Sequence, residues 1–151
     1  MATVYAALPE VTRRRLRGLE AIHSFEVLAD APEGEAVWTK PMVGADVQFP
    51  PVVHPLVHRH PVIGTPVLDL SPTFVRGVVG WSRADSDELL QHLGEFATSG
   101  RFTYFHKWDA GDLVIWDNWR TMHTATGHKK RYRRRMFRTT VHGGIRLEPA
   151  A

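Results

Sequence analysis

The last third of the chain contains three segments typical of β-strands, and they constrain the fold more than any other feature. These segments are RFTYFHKW (101–108), DLVIWDN (112–118) and RMFRTTVHG (135–143). They are rich in β-branched and aromatic residues, and DAGD between the first two predicts a tight turn. Because each strand must pair its backbone groups with a neighbour, the region predicts antiparallel sheet.

The remainder of the chain predicts two helices and one hairpin. Apolar residues recur at helical spacing over 9–22, and SRADSDELLQHLGEFATSG (82–100) has a polar cap, acidic residues in its first turn and a glycine at its end. LVHRH (56–60) and PVLDLS (66–71) predict short strands around the turn PVIGTP. Residues 23–55 are too rich in proline and glycine for a long regular element. The predicted class is α+β, mainly antiparallel β.

Length and composition exclude several classes of protein. The 151 residues, 43% of them hydrophobic, predict a single domain over 1–151. No apolar stretch approaches the roughly 20 residues of a membrane span, and the N-terminus lacks the pattern of a signal peptide, so a cytoplasmic protein without a membrane partner is expected. Because cysteine is absent, any metal must be held by His, Asp or Glu.

Positive charge is concentrated in one run, KKRYRRRMFR (129–138), although the net charge is only +3. Such a run predicts an anionic partner. Binding to nucleic-acid phosphates is one alternative, and it would weaken steeply with salt. The small net charge and the lack of a nucleic-acid-binding motif weigh against that alternative.

Three stretches carry a resemblance to a known family. They are ALPEVTRRRLRGLEAIHSF (7–25), HPLVHRHPVIGTPVLDLSPTFVRGVVGWS (54–82) and FTYFHKWDAGDLVIWDNWRTMHTATGHKKRYRRRMFRTTVHGG (102–144). In order and spacing they resemble the C-terminal half of the Fe(II)- and 2-oxoglutarate-dependent dioxygenases related to taurine dioxygenase and 2,4-dichlorophenoxyacetate dioxygenase. The resemblance implies a partial double-stranded β-helix, or jelly roll, with flanking helices.

The same resemblance implies roles for four residues. His123 corresponds to the second histidine of a 2-His-1-carboxylate triad, which suits Fe(II) and leaves positions for 2-oxoglutarate and O2. Arg134 corresponds to the arginine that pairs with the distal carboxylate of 2-oxoglutarate. Arg138 corresponds to an arginine that meets an acidic group of a small-molecule substrate, and Phe74 to an aromatic residue beside the substrate pocket. Asp117 and Asn118 are expected to support the turn before His123, without a catalytic role.

Strand geometry supports the pairing of the two arginines. Side chains two positions apart share a face of a strand, so Arg134 and Arg138 are expected to point the same way. Planar guanidinium groups bind carboxylates or sulfonates through two hydrogen bonds. Two of them on one face would suit a dicarboxylate cosubstrate and an acidic substrate.

The other two iron ligands are missing from the sequence pattern. The family has a His-x-Asp or His-x-Glu pair upstream of the matched region, and none of the nine histidines here has an acidic residue two positions later. A truncated gene, a misplaced start and a split enzyme completed by another chain all remain open, and so does a non-catalytic remnant or partner subunit. His58 and His60, which alternate along one strand, are a further candidate metal-binding pair.

Half of a jelly roll leaves strands without neighbours, and unpaired strand edges promote association. We therefore expect the isolated chain to be oligomeric or poorly folded, as measured by size-exclusion chromatography with light scattering and by thermal melting. A sharp monomer peak together with a cooperative melt would contradict this prediction.

Overall fold

A central strand flanked on both sides forms the main sheet. The structure, a computed structural model, describes residues 1–24, 50–127, 129, 131 and 133–141. Strand β1 (Glu20–His23) pairs antiparallel with β2 (Val52–Pro55) and with β5 (Val75–Val78), giving the order β2-β1-β5. The register places Ala21 opposite His54 on one side and Val78 on the other, with a bulge between Ile22 and His23.

Two short helices precede this sheet, where the sequence predicted one helix over 9–22. Helix α1 is Ala2–Ala7 and α2 is Glu10–Leu16, with Pro9 as the N-cap of α2. Beyond Leu16 the backbone becomes extended, and Gly18 adopts a φ of 72°, a left-handed conformation that glycine accepts readily. The prediction for 17–22 is therefore wrong, because that turn redirects the chain into β1.

The predicted hairpin and the predicted long helix are confirmed. Strands β3 (Val57–Arg59) and β4 (Pro66–Leu68) pair antiparallel, with Val57 opposite Leu68. Helix α3 is Arg83–Ala97, and the Oγ of its N-cap Ser82 accepts a hydrogen bond from the backbone N–H of Asp85 at 3.1 Å. The chain therefore alternates helices with antiparallel strands, in agreement with the α+β class.

The core lies between α1, α2, α3 and the two sheets. Its most enclosed side chains include Leu16, Leu56, Leu68 and Leu93, which are almost completely excluded from solvent. Helix α3 is attached to β5 by the buried Oγ of Ser86, which accepts the backbone N–H of Val78 at 3.1 Å. Within the described residues, no helix is long and apolar enough to cross a membrane.

The three strands predicted in the last third of the chain are absent from the described part of that region. No strand is found among the described residues after α3, and side chains such as Leu113 and Phe137 are 83% and 91% exposed. The physical reason is pairing, because a strand persists only where a neighbour satisfies its N–H and C=O groups. The final predicted strand extends to residue 143, and positions 142 and 143 lie outside the described residues.

Replacing Leu93, which has no solvent exposure, with Ala should lower the free energy of unfolding by roughly 2–5 kcal/mol, because it removes buried methyl groups and leaves a cavity. Leu113→Ala is the matched control, and its effect should stay within about 0.5 kcal/mol because that side chain already faces solvent. Urea denaturation followed by circular dichroism measures both. Equal effects from the two substitutions would contradict the core described above.

Candidate functional site

A tight turn from Asp117 to Thr121 leads to His123, and we name it the 117–121 turn. The Oδ1 of Asp117 accepts the backbone N–H of Trp119 at 2.9 Å, the arrangement of an Asx turn. The backbone carbonyl of Asp117 accepts the N–H of Thr121 at 3.1 Å and its hydroxyl at 2.5 Å. One aspartate thus makes most of the local bonds that define this turn.

The same aspartate is bound to a histidine far away in the sequence. The Nε2 of His60, a residue only 6% exposed, lies 2.8 Å from the Oδ2 of Asp117. The Nδ1 of His60 accepts the backbone N–H groups of Val62 and Ile63 at 3.2 and 3.3 Å. Both ring nitrogens of His60 therefore have hydrogen-bond partners, and the candidate metal pair of His58 and His60 stays a prediction.

Desolvation alone would raise the pKa of the Asp117 carboxyl. The hydrogen bonds from His60 and from the Trp119 backbone outweigh that effect, so the pKa is lowered below its usual value. Asp117 is therefore an anion at neutral pH. Its Oδ2 accepts a hydrogen bond from His60 of the hairpin, and its Oδ1 accepts one from the Trp119 N–H of its own turn.

His58 provides a second contact to the turn. The residue is 4% exposed, and its ring meets the ring of Trp119 edge-on, with centroids 6.2 Å apart. Neither ring nitrogen has a hydrogen bond of ordinary geometry. Burial lowers the pKa of His58, and the opposing influences of the Asp69 charge and the Trp119 backbone do not reverse that direction. His58 is therefore held as a neutral ring against which Trp119 packs.

His123, the candidate iron ligand, is exposed and lies against an aromatic ring. Its ring centroid is 4.9 Å from that of Trp116, whose Nε1 donates to the Oδ1 of Asn118 at 2.7 Å. Partial desolvation and then the positive charge of Arg138 lower the pKa of His123. A neutral imidazole at pH 7 is the form that coordinates metals.

The other predicted site residues are less closely assembled. Arg138 is near enough to His123 to influence its pKa electrostatically. Arg134 and Arg138 are both exposed and belong to no strand, so the shared strand face expected for them is not formed. Phe74 immediately precedes β5, where its carbonyl accepts the N–H of Ser24 at 2.9 Å, and its side chain is half-exposed.

The described residues do not form a complete iron site. Within residues 1–24, 50–127 and the described positions beyond, no group of three His, Asp or Glu side chains could hold a metal ion. A facial triad requires two histidines and a carboxylate. His123 is the sequence-predicted candidate for one such ligand, and the described residues bring no two further ligands to it.

Sequence reasoning missed the bond between His60 and Asp117, a long-range connection of the site. The two residues are 57 positions apart, and no local periodicity links a hairpin turn to a turn beyond the next helix. The signals available were a histidine followed by proline in the hairpin and an aspartate at the start of a turn. Neither specifies its partner.

Comparison with known proteins identifies relatives for most of the chain. Residues 1–140 match the family described as "Taurine catabolism dioxygenase TauD, TfdA family". The chain is 32% identical to the alpha-ketoglutarate-dependent 2,4-dichlorophenoxyacetate dioxygenase of Burkholderia sp. (strain RASC), an alignment covering 99% of this chain and 49% of that protein. It is 33% identical to an alkylsulfatase of Acinetobacter baylyi, covering 95% and 46% respectively.

Solved structures show the same similarity. A taurine dioxygenase from Burkholderia xenovorans has a TM-score of 0.55 at 31% identity, covering 73% of this chain and 32% of that one. The complex of AAD-2 with Mn(II) and N-oxalylglycine has a TM-score of 0.58 at 30% identity, covering 72% and 41%. The chain spans about half the length of the curated relatives it matches.

The free energy of unfolding should fall as the pH decreases from about 7 to 5. Burial lowers the folded-state pKa of His23 and His58, so the unfolded chain binds protons first, at its ordinary pKa near 6.5. Each group can contribute at most about 1.4 kcal/mol per pH unit in this window. Urea denaturation across the range should show a smaller slope for His58→Leu, and an unchanged slope for the exposed control His92→Gln. A free energy of unfolding that stays constant, or that increases toward pH 5, would contradict the lowered pKa values of His23 and His58.

Proposed function

Because the chain belongs to the taurine catabolism dioxygenase TauD, TfdA family, we propose that it is the C-terminal part of an Fe(II)- and 2-oxoglutarate-dependent dioxygenase that hydroxylates a small acidic molecule with O2. Residues 1–151 form part of one domain in this proposal. The observation that supports this proposal is the placement of His123. Its imidazole has a lowered pKa and lies near Arg138, and it follows the 117–121 turn, which is bound to His60.

Each candidate residue contributes a binding function. His123 offers one nitrogen ligand to iron, and Arg134 pairs with the distal carboxylate of 2-oxoglutarate. Arg138 meets the acidic group of the substrate, and Phe74 forms an apolar wall of its pocket. The name of one relative, which specifies 2,4-dichlorophenoxyacetate, supports an acidic substrate.

A complete jelly roll requires partners for the segments after α3. We propose that residues 101–118 and 135–141 become strands when strands from outside the described residues lie beside them. Their exposed apolar side chains, including Tyr104, Ile115 and Phe137, would then face a core. A complementing N-terminal polypeptide would supply both these strands and the two missing iron ligands. A second copy of the chain would supply strands but not the His-x-Asp or His-x-Glu pair, which this sequence lacks.

A second candidate is a non-catalytic partner subunit. The observation favouring it is that no three-ligand metal group exists among the described residues. Such a subunit would retain the arginines that bind acids without forming the iron site. The two candidates differ in whether Fe(II) and 2-oxoglutarate bind together in a manner that depends on His123.

An anaerobic titration with Fe(II) and 2-oxoglutarate distinguishes the two candidates. The visible charge-transfer band of iron chelated by the keto acid is recorded for the chain alone, and for the chain co-expressed with the unmatched half of the Burkholderia 2,4-dichlorophenoxyacetate dioxygenase. We expect a band in at least one folded sample, lost in His123→Ala and kept in the control His92→Ala. Folded samples without a band, or with a band indifferent to His123→Ala, would contradict the enzymatic proposal.

In a sample that gives the band, Arg134→Ala should weaken the apparent affinity for 2-oxoglutarate by roughly 10- to 100-fold, because a hydrogen-bonded charge pair contributes about 1.5–3 kcal/mol. Arg133→Ala removes the same charge one position earlier and should change the affinity less than about threefold, since only general electrostatic attraction is lost. Titration of 2-oxoglutarate at fixed Fe(II) measures both variants. Equal losses would show that Arg134 has no specific role.

A further inference from the structure

His60 is nearly buried in the β3–β4 hairpin, although its sequence context gives it no role in the proposed chemistry. Its Nε2 lies 2.8 Å from the Oδ2 of Asp117. The other ring nitrogen faces two backbone N–H donors, those of Val62 and Ile63. A histidine enclosed in this way is a fixed hydrogen-bonding group.

The two backbone donors determine which ring nitrogen carries the proton. Nδ1 accepts from Val62 and Ile63, so it presents its lone pair to them. The proton of the neutral ring therefore lies on Nε2 and is donated to the Oδ2 of Asp117. The hairpin backbone thus orients a proton donor toward the turn that precedes His123.

Asp117 connects the His60 ring to the turn that precedes the candidate ligand His123. One carboxylate oxygen is bound by His60, the other by the Trp119 N–H, and the carbonyl of Asp117 closes the turn at Thr121. On the hairpin side, the ring of Trp119 packs against His58. The carbonyl of Arg120 in the same turn accepts a hydrogen bond from the N-terminal ammonium of Met1. His123 follows two residues after Thr121, so the contact of the 117–121 turn with the hairpin contributes to the position of His123.

We propose that His60 is a positioning residue. Through its Nε2–H bond to Asp117 it holds the 117–121 turn against the β3–β4 hairpin, and it thereby orients His123. The importance of that orientation for metal binding rests on the proposed function. The orientation itself is a property of the metal-free chain and can be measured separately.

The chain contains a second His–Asp pair that serves as a control. The Nε2 of His106 lies 3.0 Å from the Oδ2 of Asp112, but His106 is partly exposed and its partner is only six positions away. This pair connects neighbouring parts of one segment, whereas the His60–Asp117 pair connects the hairpin to the turn before His123. Breaking the local pair should leave His123 unaffected.

The test uses 15N-labelled chain without metal and records two-bond proton–nitrogen correlations of the histidine rings, together with the indole signal of Trp116. The wild type should show His60 as the Nε2–H tautomer. Asp117→Asn keeps an oxygen for the Trp119 N–H but turns its NH2 group toward the Nε2–H of His60, donor against donor. This substitution should remove the tautomer signature of His60 and shift the signals of His123 and Trp116.

Two further comparisons make the result decisive. Asp112→Asn, the control, should leave the signals of His60, His123 and Trp116 in place. His60→Gln retains an N–H donor and should preserve the His123 signals better than His60→Leu, which has none. This pair of variants tests the role of His60 even if Asp117→Asn fails to fold. An Nδ1–H tautomer in the wild type, equal effects of Asp117→Asn and Asp112→Asn, or equal effects of His60→Gln and His60→Leu would overturn the proposal.

A measurement of Fe(II) affinity distinguishes a failure of this proposal from a failure of the proposed function. In a sample that forms the charge-transfer band with Fe(II) and 2-oxoglutarate, Asp117→Asn should weaken apparent Fe(II) affinity by roughly 10- to 100-fold, the usual effect of losing a group that orients a ligand. If the metal-free spectra respond as expected and no sample forms the band, the positioning role of His60 stands and the dioxygenase proposal fails.

Discussion

Backbone pairing is the constraint on which the rest of this structure depends. Strand β1 has a partner on each side, β2 and β5, and the core packs around that sheet and the β3–β4 hairpin. Where the described residues offer no partner, after α3, no strand forms and large apolar side chains such as Ile115 are exposed. The described chain, which spans about half the length of its relatives, therefore has two parts: one that packs on itself, and one whose large apolar side chains are exposed.

The 117–121 turn is the point at which these two parts meet. Asp117 follows a segment of exposed side chains, yet its carboxylate is bound by His60 from the packed hairpin. Met122, immediately after the turn, is partly buried against the core. The candidate ligand His123 thus begins the next exposed stretch from an anchored position. The described residues provide no complete metal site, so the contact with His60 holds the turn before the candidate residue and not an assembled centre.

Local patterns in the sequence predicted some elements well and others poorly, for physical reasons. Helix α3 has a cap, a helical apolar stripe and a clear end, and the hairpin has its turn signal, so both were predicted. Strands β1 and β2 have four residues each, too few for a periodic pattern, and β1 was assigned to a helix because Ile22 continues the helical spacing of α2. The candidate His123 came from the family resemblance, whereas its support by His60 depends on a contact between distant residues that no local pattern encodes.

His123 is the residue of this chain that we propose binds iron, and paramagnetic broadening by a divalent metal ion tests that role. Mn(II) would be added in small substoichiometric amounts to 15N-labelled chain while the ring signals of all histidines are recorded. We expect the His123 signals to broaden first, while those of His60, which is bound to Asp117, and of the exposed His92 persist. Earlier broadening of His60 or His92, or uniform broadening of all histidines, would contradict it.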